Sequence, residues 1–134
     1  MIVVDTNILA ALLLSTEASA EAEAALAIDS EWFSPPPWRS ELRNVLAILI
    51  QQQRLDLSRA YGVMEQAETM LYQRELEAST LEVLRLSSES GCTAYDCEFV
   101  AVARQLGAPL VTLDRQILHE FPSTAVSLST FVDD

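Results

Sequence analysis

The sequence contains no lysine: its eight basic residues are all arginine, set against 20 acids in 134 residues, for a net charge of −12. That absence removes nucleotide-binding P-loops, whose Gly-Lys pair holds phosphates. It also removes phosphoryl-transfer sites in which a lysine stands beside an Asp–Mg²⁺ centre. A broad basic face for coating nucleic acid is missing too. Any contact with phosphates must therefore be local, through arginine or a metal ion. Histidine occurs once, at His119, with no serine or cysteine nucleophile motif around it, so a catalytic triad is a poor reading. The two cysteines, Cys92 and Cys97, are too few for a disulfide framework and lack the paired C-x-x-C of a zinc site. Both are expected as small buried residues. The longest apolar run, Ile8 to Leu14, has seven residues, far short of a membrane span. No basic leader precedes Asp5, so no signal peptide is expected and a cytoplasmic location is.

Half of the residues are hydrophobic, enough for a real core, and the length suits a single domain over residues 1–134. Ile2, Val3 and Val4 form an unbroken β-branched run, as in a parallel strand covered on both faces. Asp5 ends it, and apolar helix-compatible sequence follows from Asn7 to Ser15. Ala18 to Ile28 is rich in strong helix formers. Residues 31–34 are a short strand candidate, stopped by Pro35, Pro36 and Pro37, after which a helix is expected from Trp38 to Gln53. Further helices are expected at Leu57 to Tyr72, Thr80 to Glu89, Ala94 to Leu106 and from Asp114 to about Glu120. Pro109 to Leu113 is a second clear parallel strand. Glu75 to Ser79 and Ala125 to Leu128 are weaker strand candidates, and only Asp133 and Asp134 read as free. Strands alternating with helices predict a three-layer α/β/α sandwich with a parallel sheet of four to five strands.

Four acids recur at telling places. Asp5 and Asp114 each follow a parallel strand, where open α/β sheets build their sites. Glu41 and Asp96 lie in the first turns of helices. Val45, Ile48 and Leu49 follow Glu41 at i+4, i+7 and i+8, and Phe99, Val100 and Ala103 follow Asp96 at i+3, i+4 and i+7. Both acids therefore fall on expected core-facing stripes, where an unpaired carboxylate is costly. Each has a bland account. Asp5 and Asp114 suit N-caps, Glu41 suits a helix dipole, and Thr93 with Asp96 suits a variant capping box. Should the two strands be neighbours, all four carboxylates meet in one crevice. Converging carboxylates raise one another's pKa unless a cation neutralises them, and hard oxygen ligands alone select Mg²⁺ or Mn²⁺. Such a site suits phosphodiester hydrolysis. Asn7 and Thr112 lie at the same strand ends and suit an orienting role.

Asp5-Thr6-Asn7, Trp38 to Leu46 around Glu41, Thr93-Ala94-Tyr95-Asp96 and Leu110-Val111-Thr112-Leu113-Asp114 together resemble PIN-domain ribonucleases. The likeness is greatest to the VapC-type toxins of bacterial type II toxin–antitoxin pairs, in order, spacing and length over essentially the whole chain. The resemblance implies a PIN-like parallel sheet flanked by helices, an acidic quartet binding Mg²⁺ or Mn²⁺, and endonucleolytic cleavage of RNA. It also implies homodimers and a cognate antitoxin that docks a C-terminal segment in or near the active site. Carried over by position, Asp5, Glu41, Asp96 and Asp114 would be the catalytic and metal-binding acids, with Thr112 as support. Some relatives carry another acid two positions after the fourth, where this chain has Gln116.

Arg39, Arg43 and Arg115 flank the acids in sequence and are candidates for holding RNA phosphates; pairing with surface acids is the equal alternative. Trp32 and Trp38 suit core packing better than base stacking. The expected function is thus a metal-dependent endoribonuclease toxin. The competing reading is a catalytically silent PIN-fold module that acts by binding an antitoxin or other protein.

Overall fold

The computed structural model describes residues 1–133. In chain order it runs β1 (Ile2–Val4), α1 (Thr6–Leu13), α2 (Ser19–Ile28), β2 (Trp32–Phe33), α3 (Pro37–Gln51) and α4 (Leu57–Met70). Then come α5 (Thr80–Ser90), α6 (Ala94–Leu106), β3 (Leu110–Thr112), α7 (Arg115–Glu120), β4 (Ala125–Ser127) and α8 (Leu128–Asp133). The four strands form one parallel sheet in the order β2-β1-β3-β4. The chain therefore leaves β1 toward one edge and later returns to its other side. The seam between β1 and β3 is the topological switch point, where such sheets open a crevice at their carboxyl ends.

Every residue of β1 and β3 is buried, as their uninterrupted apolar composition requires of strands covered on both faces. One group of helices, α1, α2 and α8, packs together, with α3 and α4 beside α1; α5 and α6 form a second pair, and α6 lies on β1 and β3. The three-layer α/β sandwich is as expected. The candidate strand at Glu75 to Ser79 is only a single parallel bridge between Ser34 and Glu75, so the sheet has four strands. Trp32 and Trp38 are fully buried. Their indole N–H groups donate to the Asp29 carbonyl and to Glu75 Oε1, each at 2.7 Å, which places both in the core and ends the base-stacking alternative. Cys92 and Cys97 are free and buried, as expected.

Two differences from expectation have clear causes. The last strand stops at Ser127, one residue before the expected Leu128, and residues 128–133 form an unexpected α8 that takes in Asp133, expected to be free; Asp134 lies outside the described residues. Ser127 Oγ accepts the Thr130 N–H at 3.1 Å, as a helix-starting serine does, while Leu128 is buried with Phe131 and Val132 packed behind it. In α3 the buried stripe is Trp38, Leu42 and Leu46, and Ile48 is exposed. Trp38 sets the rotation of the helix, so the expected stripe through Val45, Ile48 and Leu49 is turned partly toward solvent. Glu41 lies at the margin of the buried face, half-buried.

Candidate active site

Asp5 leaves β1 with its N–H donating to the Val111 carbonyl, 3.0 Å away. This continues the Val4–Val111 register and sets Asp5 opposite Thr112 on β3. The Thr112 hydroxyl donates to Asp5 Oδ2 at 2.7 Å and accepts the Asp114 N–H at 3.0 Å. One buried hydroxyl thus ties the two strand-end acids together. Asp5 Oδ1 accepts the Thr6 N–H at 2.7 Å, so Asp5 is also the N-cap of α1. Asn7 closes the seam: its Nδ2 donates to Asp5 Oδ2 at 3.3 Å, and its Oδ1 accepts the Leu113 N–H at 3.2 Å.

Asp114 is the N-cap of α7, its Oδ1 accepting from Gln116 and Ile117 at 2.9 and 3.0 Å. The capping reading and the crevice reading of both strand-end acids therefore hold together. Gln116, the departure from the acidic pattern, is exposed and joins this cap through its backbone. Asp96 sits at the start of α6, where Thr93 caps the helix by accepting the Asp96 N–H at 3.1 Å. Phe99, Val100 and Ala103 behind it are buried, as its expected stripe requires. Glu41 reaches the same region from α3, its Oε1 accepting the Thr6 hydroxyl at 2.6 Å.

Burial and neighbouring charge raise three of the four acids. Asp5 is pushed up from the ordinary 3.8 to about 6, mainly by burial. The bonds from Thr112 and Thr6 oppose that rise, while the charges of Glu41 and Asp96 add to it. Glu41 is raised by burial and by Asp96, against the Thr6 bond. Asp96 is raised by burial and by Asp114, against the Thr93 hydroxyl. A fifth acid joins them: Glu98 on α6 is raised by burial, by Glu77 and by Glu41. Carboxyls that are partly desolvated and repel one another resist ionising, and a cation would reverse that. Even so, among the described residues no three His, Cys, Asp or Glu side chains stand grouped closely enough to ligate one ion as arranged. The donor set itself, carboxylate oxygens without imidazole, fits a hard divalent ion such as Mg²⁺ or Mn²⁺.

Thr6 and Glu98 belong to this constellation and escaped the sequence reading. Thr6 could have been found: it follows Asp5 directly at a helix start, where a hydroxyl can serve a neighbouring acid. Glu98 could not, because its coupling depends on how α6 meets α3. Of the arginines, Arg39 pairs with Glu68 and Glu75 at 3.4 and 3.6 Å and lies over the Trp38 ring at 4.8 Å. It is tied to surface acids and packs on the core, the surface-pairing alternative given for it above. Arg43 and Arg115 are exposed and in no ion pair among the described residues. His119 is exposed on α7.

Comparison with known proteins identifies the family. The model of the PIN domain family matches residues 2–122. A protein named Ribonuclease VapC3 from Pyrobaculum aerophilum is 31% identical over 126 residues, covering 91% of this chain and 95% of that protein. The crystal structure of PAE2754 from the same organism superposes with a TM-score of 0.77 at 26% identity, covering 98% of this chain and 92% of that one. The crystal structure of FitAcB from Neisseria gonorrhoeae reaches a TM-score of 0.74 at 18% identity, covering 96% of this chain and 99% of that one; at that identity it speaks for the fold alone. With the family match over residues 2–122 and two strand-end acids tied through Thr112 at the switch point of its sheet, the chain belongs to the PIN domain family and is of the VapC type.

Proposed function

We propose that this protein is a metal-dependent endoribonuclease, the toxin of a toxin–antitoxin pair, with Asp5, Glu41, Asp96 and Asp114 as its catalytic and metal-binding acids. The observation that carries the reading is the Thr112 hydroxyl that ties the two strand-end acids together at the β1–β3 seam. Beside it, burial raises Asp5, Glu41 and Asp96 and neighbouring acids raise them further, an expensive arrangement for a purely structural role. The name of the relative Ribonuclease VapC3 supports RNA as substrate.

Mg²⁺ or Mn²⁺ held by these four acids would acidify water and offset the charge that develops on the attacking and leaving phosphodiester oxygens. The chain's own residues do the positioning. Thr112 and Asn7 fix Asp5 against the end of β3, and the Gln116 and Ile117 amides fix Asp114, leaving its Oδ2 outside the cap. Thr6 restrains Glu41. Such restraint holds ligands in place before substrate arrives.

The same reading includes a cognate antitoxin, a cytoplasmic setting and a homodimer. No described helix is long and apolar enough to cross a membrane. For the dimer the best-supported face is that of α3 and α4. There Leu57 and Tyr61 are 74% and 68% exposed, beside a hollow of about 300 Å³ lined in part by Leu46, Ile50 and Met64.

The decisive experiment is calorimetric titration with Mn²⁺ of the wild type and Asp96→Asn, followed by cleavage of total cellular RNA with the same samples. The expected result is metal binding and cleavage in the wild type, with cleavage lower by at least about a hundredfold in the folded variant. A wild type that binds no Mn²⁺ would overturn the enzyme reading and leave a partner-binding module.

A further inference from the structure

A groove of about 1090 Å³ begins at the site, where Asn7 and Leu113 form its rim, and runs along α1 past Ala10, Ala11 and Leu14. Its far end is walled by Arg54 and Arg59, which also share a smaller hollow with Leu14, Ser15 and Leu49. The eight-residue α1 is about 12 Å long. The groove therefore offers room for roughly three or four nucleotides at the stacked rise of 3.4 Å per strand.

Both arginines are exposed, and neither takes part in an ion pair among the described residues. Among the described residues the Arg54 guanidinium donates only to Gln52 Oε1, at 3.3 Å. Arg59 lies in the first turn of α4, where Asp56 is occupied with capping and accepts the Arg59 backbone N–H at 2.7 Å. Neither guanidinium bonds a carbonyl at the end of α1, so they do not serve as its C-terminal cap. Glu17 and Glu23 also line the groove and are exposed. In a chain of net charge −12, the groove is balanced: two guanidinium groups without ion-pair partners among the described residues stand on its α3–α4 side and two carboxylates on its α2 side.

We infer that Arg54 and Arg59 form a phosphate-anchoring subsite for single-stranded RNA, which lies along α1 with its scissile bond at the acidic cluster. This rests on the ribonuclease reading above. Guanidinium groups bind phosphate oxygens in bidentate fashion and fix register without reading bases. The acids hold the reacting phosphate and the arginines hold another a few nucleotides away. The groove thereby resolves how so acidic a protein retains its polyanionic substrate.

The test uses a fluorescein-labelled 20-nucleotide RNA of random sequence, with anisotropy measured in Mg²⁺ from 50 to 300 mM salt. The Asp96→Asn background prevents cleavage, and Arg54→Ala/Arg59→Ala is compared with Arg54→Lys/Arg59→Lys. The alanine pair is expected to weaken binding on the order of tenfold at low salt and to flatten the log–log salt slope by about 1.4, two single-strand contacts. The lysine pair should restore most of the slope. Mn²⁺ affinity and melting temperature should not move, since neither arginine touches an acid of the site. An unchanged RNA affinity and slope in the alanine pair would overturn the inference while leaving metal-dependent cleavage standing. Unchanged RNA binding together with weakened binding of a poly-glutamate peptide would overturn it in favour of a protein occupant. Failure of the background protein to bind RNA, with a wild type that cleaves none, would overturn both readings.

Discussion

The acids that end strands and the acids that begin helices are held very differently. Asp5 accepts three hydrogen bonds and Asp114 two, all from residues at or next to the β1–β3 seam. Glu41 and Asp96 are half-buried and less tied: the Glu41 carboxyl accepts one hydroxyl, that of Thr6, and Asp96 is placed by its backbone N–H on the Thr93 hydroxyl. The rigid pair is fixed by the sheet and by capping, which sequence-local chemistry dictates. The other pair depends for its position on the packing of α3 and α6. The strand-end pair forms the floor of the candidate site and the helix-borne pair its walls, and among the described residues no three of these acids are grouped closely enough to ligate one ion.

The largest way to break this comparison is through pH. Asp5 titrates near 6 in the folded protein and at its ordinary 3.8 in an unfolded chain. A raised folded-state pKa contributes stability that is complete below the unfolded value and is lost as pH rises through the folded one. Metal-free protein should therefore lose about 2.4 kcal/mol of stability between pH 4 and pH 7 from this group. Urea denaturation across that range checks it, and Asp5→Asn should flatten the profile. A profile that rises instead would mean Asp5 is ionised and well served when folded.

Thr112→Val addresses the floor alone. It removes the donor to Asp5 and the acceptor of the Asp114 N–H, both buried or partly so, at an expected cost of about 2 kcal/mol. Thr112→Ser should recover most of it in the same denaturation assay. The smallest effect belongs to a wall. Thr6→Ala deletes the one bond to Glu41 for about 1 kcal/mol, and carboxyl NMR should find Glu41 titrating still higher.

The same division separates what was legible in the sequence from what was not. Asp5 and Asp114 were legible because a β-branched run, an acid and a helix start are all local features. Helix α6 matched its expected bounds, since Thr93 and Gly107 mark both ends, Gly107 with the left-handed φ of 65° that favours glycine. The face of α3 was not legible: two apolar stripes overlap in its sequence, and only the burial of Trp38 chooses between them. Helix α8 was missed because Ser127 serves both as the end of β4 and as the hydroxyl that starts the helix. The groove with Arg54 and Arg59 depends on α1, α3 and α4 meeting at one corner, which no spacing in the chain records.

The Thr112 hydroxyl has only one hydrogen to give, and that fixes the direction of the whole seam. Because it already receives the Asp114 N–H, its own hydrogen must point to Asp5. Thr6 and Asn7 also donate to Asp5, so position 5 must present acceptors on every side. An asparagine there would turn its NH₂ group either toward the Thr6 N–H or toward the Thr112 hydroxyl and the Asn7 amide, so at least one donor would lose its acceptor. The usual charge-removing substitution is therefore not a neutral probe at position 5. At Asp96, which lies outside this one-way chain, it removes the charge and leaves the polarity of the seam untouched.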